Sequence, residues 1–478
     1  MSNGNKIVAG VFWRFGEKIT AQLVSFLVSV VLARLLKPED YGLIAIVLIF
    51  VAIAEVFVTS GLGTALIQRK EIDQEDASSI FWINLIFSII LYLLFFFIAP
   101  LISLFYKMPE LTIVLRVLAL RIPVNAINSI QNAIISKRMD FKKFFFATII
   151  GTVVSAVVGL IMAYCGFGVW SLVAQILVNT IIDTVVLSIV IKWKPSFVLS
   201  IRKVKPLISY GWKILATDLI GTIFNQLNAF LIGKKYSSTD LAYYTQGKKI
   251  PDIISGNIGS TLCSVLFPAM SLKNSIEEIK NLRRKCLKMM EYVIFPLMFG
   301  MFIVADKMIL VVFTEKWAFS IPYVRITCIA SMINVLGSTF IQEIKAIGRS
   351  DITLKMEIIK KPVFLVIALV SMQLGIKYLA FTLIVNEIVA FFFNVHPVRK
   401  YIGFEYKIYI MDLLPNLLIT IIMGEIVYIL GLLIKDILVC LIVQVVTGIV
   451  VYVILSLFTK NESFFVLYNT IFNRGERR

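Results

Sequence analysis

Arg14 and Lys18 stand four residues apart in the first long apolar segment of a 478-residue chain, with Glu17 between them and Gln22 four residues beyond Lys18. On a helix, positions i and i+4 share a face, so the two cations and the amide line up. About 200 residues later Lys213 and Asp218 open another apolar segment, followed by Asn225, Gln226 and Asn228. Other ionisable groups within apolar stretches are Glu55, Arg116, Arg121, Lys248, Lys249, Asp252, Arg325 and Glu387, with Lys248 and Asp252 again at i, i+4. The chemistry open to these sets is ion pairing and cation or proton exchange. Arg14, Lys18, Lys213, Arg121, Lys248 and Lys249 would make a cationic cavity, with Gln22, Asn225, Gln226 and Asn228 as its polar lining. Glu17, Glu55, Asp218 and Glu387 are carboxylates that could accept a proton or Na⁺. Plainer readings stand beside these. Arg14, Lys18 and Lys213 lie near the starts of their segments and can snorkel to headgroups. A buried carboxylate can equally pair with an interior Lys or Arg for structure.

The segments that must position these residues are membrane spans. Hydrophobic residues make up 59% of the chain and charged residues 16%, against about half and a quarter in a soluble domain. Fourteen spans are expected, at about 10–35, 41–66, 79–105, 111–135, 142–165, 168–191, 207–233, 241–269, 288–312, 321–345, 353–374, 376–396, 409–431 and 437–458. Each is long enough to cross a ~30 Å hydrocarbon core as helix. Twelve spans would also leave both termini on one side. A β-barrel would need short alternating segments, whereas Ile83–Pro100 is apolar on every face.

The net charge of +18 does not call for nucleic acid, because its sources alternate from gap to gap. Arg69, Lys70, Lys137, Arg138, Lys142, Lys143, Lys192, Lys194, Arg202, Lys203 and Lys205 fill one set of gaps in the first half. Lys273, Lys280, Arg283, Arg284, Lys285, Lys288, Arg349, Lys355, Arg399, Lys400 and Lys407 continue it, with Lys6, Lys460, Arg474, Arg477 and Arg478 at the termini. The other gaps hold only Lys37, Lys107, Lys234, Lys235, Lys316, Lys377 and Lys435. The basic set is therefore expected in the cytoplasm, with both termini inside.

Enzyme chemistry finds little footing. No gap exceeds roughly twenty residues, and no GxxxxGK[ST], HExxH, GxSxG or DxD pattern occurs. Gly61 and Gly63 read as close helix packing. The five cysteines form no CxxC pair, so no metal site, disulfide framework or cofactor is expected. The single His396 ends an apolar segment and reads as an interface residue rather than a proton relay. The first segment is full length with no small-residue cleavage motif, so no cleavable signal peptide is expected.

A weak internal repeat organises the spans. Trp13-Arg14, a long apolar helix and Lys37-Pro38-Glu39-Asp40 are echoed by Trp212-Lys213, a helix and Ser237-Ser238-Thr239-Asp240. Six spans separate the copies, so the repeat is parallel rather than inverted. The expected fold is an all-α polytopic membrane protein of about fourteen helices. Two pseudo-symmetric six-helix lobes, 1–205 and 206–400, would surround a central cavity, with 401–478 supplying two extra helices and a basic cytoplasmic tail. Such a bundle rocks between inward- and outward-open states.

The stretch Leu32-Ala33-Arg34-Leu35-Leu36-Lys37-Pro38-Glu39-Asp40-Tyr41-Gly42-Leu43 resembles the first extracytoplasmic turn of bacterial polysaccharide-unit flippases. Similar matches follow at Gly61–Gln68, Gly168–Gln175, Glu315-Lys316-Trp317 and Ala346-Ile347-Gly348-Arg349. Together they are similar to the Wzx-type, colanic-acid-exporter-like branch of the multidrug/oligosaccharidyl-lipid/polysaccharide exporter superfamily. The resemblance implies the two-lobe fold, an inner-membrane location and a substrate: an oligosaccharide unit on a polyprenyl pyrophosphate, moved from the cytoplasmic to the outer leaflet. The cationic cavity suits a pyrophosphate, since Arg and Lys pair well with phosphate oxygens. The expected partners are that substrate, membrane lipids and H⁺ or Na⁺, without nucleic acid. A cation-coupled multidrug exporter of the same fold is an alternative, although organic cations want acidic and aromatic pockets. A membrane glycosyltransferase or polysaccharide polymerase is another, although no large outer loop exists to hold catalytic groups.

Overall fold

The computed structural model describes residues 3–60, 73–138, 141–198, 200–273 and 275–472, and no strand occurs among them. Its helices are α1 (Asn3–Leu35), α2 (Pro38–Thr59), α3 (Gln74–Tyr106), α4 (Leu111–Leu118), α5 (Arg121–Arg138), α6 (Phe141–Tyr164), α7 (Val169–Ile191) and α8 (Ile201–Lys235). They continue with α9 (Ser238–Ser271), α10 (Ile276–Phe313), α11 (Ile321–Ala346), α12 (Ser350–Leu374), α13 (Ile376–Tyr401), α14 (Tyr406–Leu433), α15 (Ile437–Phe458) and α16 (Glu462–Phe472). A 3₁₀ turn, Glu315–Ser320, leads into α11. The motif at Gly61–Gln68, the cations Arg69 and Lys70, and Arg474, Arg477 and Arg478 lie outside the described residues.

Each expected span is helical over its described residues, with α4 and α5 sharing one span. Among the described residues, twelve helical segments are long and apolar enough to cross a membrane. The two expected spans that fall short are α9 and α12. They carry Lys248, Lys249 and Asp252, and Lys355, Glu357, Lys360 and Lys361. The protein is a multi-pass membrane protein: helices satisfy their own backbone groups where lipid cannot, and residues such as Leu27, Phe97 and Leu104 present apolar surface outward.

Local chemistry explains the helix ends. Pro38 opens α2, where its missing N–H costs nothing, and Asp40 Oδ2 accepts from Lys37 N at 3.1 Å. The start of α9 repeats the device, with Ser237 N and Oγ donating to Asp240 Oδ2 at 3.2 and 2.7 Å. The two turns touch. Thr239 Oγ1 donates to Glu39 Oε1 at 3.3 Å, and a Cβ on Gly42 would lie 1.9 Å from the Ser238 carbonyl oxygen. Only glycine admits that approach.

Helix α10 is longer than the expected span 288–312. Ser275 Oγ accepts from Glu278 N at 3.2 Å, and acidic Glu277 and Glu278 fill the first turn, where the helix dipole favours them. Lys280, Arg283, Arg284, Lys285 and Lys288 therefore stand on a helix rather than in a loop.

The chain forms two compact units, Met1–Ala242 and Tyr243–Arg478. In the first, α6 packs on α1 and α7, α5 on α2, α3 and α7, and α8 on α2. Its buried clusters centre on Ile80, Ile130 and Leu187, and on Val58, Ala119 and Ile122. In the second, α10 packs on α11, α14 and α15, and α13 on α11 and α12. Tyr292, Ile419, Met423, Val427 and Tyr452 form a core there.

The connector from α7 to α8 is stapled onto α3. Gln74 Nε2 donates to the Lys194 carbonyl and Trp193 Nε1 to Gln74 Oε1, both at 2.7 Å. Trp82 Nε1 donates to the Ser196 carbonyl at 2.9 Å, and Ser200 N to Ser79 Oγ at 2.9 Å. The Trp82 and Phe197 rings stack at 5.1 Å.

Candidate functional site

Helix α5 carries a polar spine into the first unit. It follows a break at Ala119-Leu120, with Pro123 in its first turn. Polar atoms in such a setting face partners because lipid offers none. Arg121 Nε lies 3.0 Å from Glu55 Oε1 on α2, and Asn125 Nδ2 donates to the same oxygen at 2.6 Å. One and two turns on, Asn128 donates to Asp183 Oδ2 at 2.9 Å and to Thr184 Oγ1 at 3.1 Å, both on α7. Gln131 donates to Ser188 Oγ, also on α7. Asn84 of α3 donates to the Val58 carbonyl at 3.1 Å and to Ser129 Oγ at 3.3 Å. The spine joins four helices through two carboxylates, a guanidinium and several amides.

The expected site residues distribute as follows. Arg121 and Glu55 meet each other. Lys248 Nζ is 3.8 Å from Asp252 Oδ2 and 5.4 Å from the Tyr244 ring centre, so this i, i+4 pair forms on α9. Lys249 is half-buried beside it. On α1, Glu17 is buried, Lys18 exposed and Gln22 half-buried. On α8, Asp218 and Asn225 are exposed, Gln226 is half-buried and Asn228 buried. Arg14 and Lys213 belong to α1 and α8, with side chains outside those described. Glu387 Oε2 accepts from Asn334 Nδ2 at 2.9 Å.

The second unit holds a charge network that sequence reasoning passed over. Arg283 Nε lies 3.1 Å from Glu343 Oε2, with both side chains buried. Arg284 grips Asp412 through Nε at 2.6 Å and Nη2 at 2.9 Å. Lys288 Nζ bridges Asp412 and Glu462 at 3.2 and 2.9 Å. Glu291, one turn on, is buried. Lys360 is buried and pairs with Glu357 and with Asn394 Oδ1 at 3.4 Å. The signal that singled out Glu55, a charge inside an apolar span, applies equally to Asp183, Glu291, Glu343 and Lys360. In the sequence Arg283, Arg284 and Lys288 read as orienting charges beside a span.

The structure superposes on a lipid II flippase MurJ in the inward closed conformation with a TM-score of 0.79, covering 95% of this chain and 99% of that one at 16% identity. An inward-facing multidrug resistance MATE family transporter of the MOP superfamily superposes with a TM-score of 0.64, covering 81% and 98%. These likenesses are of fold: an all-α MurJ/MATE-like bundle. Residues 31–322 match the polysaccharide biosynthesis protein family, and the chain belongs to that family. It is 27% identical over 352 residues to the succinoglycan biosynthesis transport protein ExoT of Rhizobium meliloti, covering 73% of this chain and 71% of that one. The lipopolysaccharide biosynthesis protein WzxC of Escherichia coli is 22% identical, with 91% and 89% covered. The teichuronic acid biosynthesis protein TuaB of Bacillus subtilis is 24% identical, with 73% and 72% covered.

Proposed function

We propose that this protein is a flippase that moves oligosaccharide units linked to polyprenyl pyrophosphate from the cytoplasmic to the outer leaflet, by alternating access, for cell-surface polysaccharide synthesis. The carrying observation is family membership together with relatives that serve three different surface polysaccharides. One glycan does not recur among them, so the shared task is handling a sugar unit on a lipid carrier. In this reading the chain sits in a bacterial inner membrane with both termini cytoplasmic, an orientation that the alternating loop charge supports. Arg14, Lys18 and Lys213 meet the pyrophosphate, with Gln22, Asn225, Gln226 and Asn228 beside them. Two six-helix halves, 1–205 and 206–400, carry the exchange of access, and 401–478 is an addition to them. Net movement draws on an H⁺ or Na⁺ gradient or on consumption of the product outside.

The test is reconstitution of the purified protein into liposomes with a defined lipid-linked oligosaccharide, measuring leaflet exchange with and without pH and Na⁺ gradients. Exchange without chain lengthening supports a flippase; longer glycan chains would make it an enzyme. Arg14→Ala, Lys18→Ala and Lys213→Ala each lower exchange while leaving the protein in the membrane. Full activity of all three removes the cationic site from the proposal.

A further inference from the structure

We infer that the groove between α12 and α13 binds the headgroup of an anionic phospholipid. The groove encloses about 450 Å³, toward the small end of ligand pockets. Arg349, Lys355, His396 and Lys400 line it, and Ile359 and Phe392 form apolar walls. Helix α12 begins at Ser350 and α13 ends at Tyr401, so the basic groups gather at one end of the helix pair. Ile359 and Phe392 lie deeper and are each 57% exposed. The gradient from charge to apolar surface is that of a lipid, headgroup at one end and chains along the other.

The charge balance favours an anion. Arg349 is already committed, with Nε and Nη2 donating to the two carboxylate oxygens of Asp351 at 3.0 and 3.1 Å and the guanidinium 4.8 Å from the Tyr401 ring centre. Lys355, His396 and Lys400 have no carboxylate partner among the described residues; Lys400 Nζ lies 5.4 Å from the Tyr401 ring centre. Two ammonium groups thus line the groove beside the His396 imidazole, with no carboxylate paired to them among the described residues. Basic pockets between membrane helices recognise phosphate headgroups in this way. A volume of about 450 Å³ fits a compact phosphate headgroup better than an oligosaccharide. A phospholipid held there would pin α12 to α13.

Native mass spectrometry of the full-length protein, purified in detergent and titrated with phosphatidylglycerol or phosphatidylcholine, tests the inference. Wild type retains phosphatidylglycerol in preference to phosphatidylcholine, and Lys355→Ala/Lys400→Ala weakens that retention about thirtyfold, at roughly 1 kcal/mol for each of the two basic residues near a membrane surface. Lys355→Arg/Lys400→Arg restores it. Equal retention by wild type and the alanine variant, or no headgroup preference, overturns the inference. A third arm adds undecaprenyl pyrophosphate as competitor. If it displaces phosphatidylglycerol from wild type at equimolar amounts but fails to displace it from the alanine variant, the groove belongs to the transported lipid and the phospholipid assignment falls. Leaflet exchange by the alanine variant is read separately, so the flippase reading does not stand or fall with this groove.

Discussion

Removing Arg121 leaves Glu55 with one amide donor in the middle of a helix bundle, and the cost can be worked from the geometry. The two charged groups approach to 3.0 Å. At an effective dielectric of about 20 that separation corresponds to roughly 5 kcal/mol of attraction. Arg121 is 30% exposed and Glu55 17%, so screening and desolvation take back more than half, leaving a coupling of about 2 kcal/mol. The double-mutant cycle Arg121→Ala, Glu55→Gln and the two together isolates this value. Each single variant loses stability; the double variant loses about 2 kcal/mol less than their sum. Equilibrium unfolding of the purified protein in mixed detergent and sodium dodecyl sulfate gives the free energies, and liposome exchange gives the activities. If the cycle closes additively, within about 0.5 kcal/mol, the pair does not hold α2 to α5. If Glu55→Gln also abolishes exchange at unchanged stability, the carboxylate serves ion exchange and the structural account of it is wrong.

The other predictions follow from packing and charge. Gly42→Ala places a methyl 1.9 Å from the Ser238 carbonyl oxygen, which no rotamer relieves, so the turns must part and stability falls by about 1–3 kcal/mol; an unchanged thermal midpoint in detergent would refute the close approach. Arg283→Ala strands buried Glu343 and costs about 3–5 kcal/mol, whereas Arg283→Met/Glu343→Met recovers most of it; the same unfolding assay ranks them. Asp412→Asn leaves Arg284 and Lys288 without their shared carboxylate, and Glu462→Lys then changes unfolding stability by an amount that differs from its effect in wild type by more than about 0.5 kcal/mol; additive behaviour in the same assay would show that no network exists.

Helix placement was legible because lipid demands long apolar runs, and each expected span coincides with a helix. Helix lengths were less legible. Apolar composition marks where α10 meets lipid, but its first turns are polar, and only the Ser275–Glu278 cap shows where it starts. Charge pairing was legible when local, as at Lys248 and Asp252. Arg283 and Glu343 are sixty residues apart in sequence, and Arg284 and Asp412 more than twice that, so spacing could not join them. The α5 amides were passed over for a different reason. Gln22, Asn225, Gln226 and Asn228 stand out because they follow charged residues of the expected repeat, whereas Asn125, Asn128 and Gln131 have no counterpart there; in lipid an unpartnered amide also costs free energy, and Asn128 and Gln131 span helices as a charge would.

The strap from Lys192 to Ser200 changes the mechanics of the chain. Nine free residues would reach about 30 Å when extended and would average roughly 17 Å as a flexible tether. Trp193, Lys194, Ser196 and Ser200 are instead fastened to α3 through Gln74, Ser79 and Trp82. Any tilt of α8 must therefore bend the backbone at its own first residues or drag α3 with it. The connector acts as a rigid splice that transmits torque, not as a rope that absorbs it.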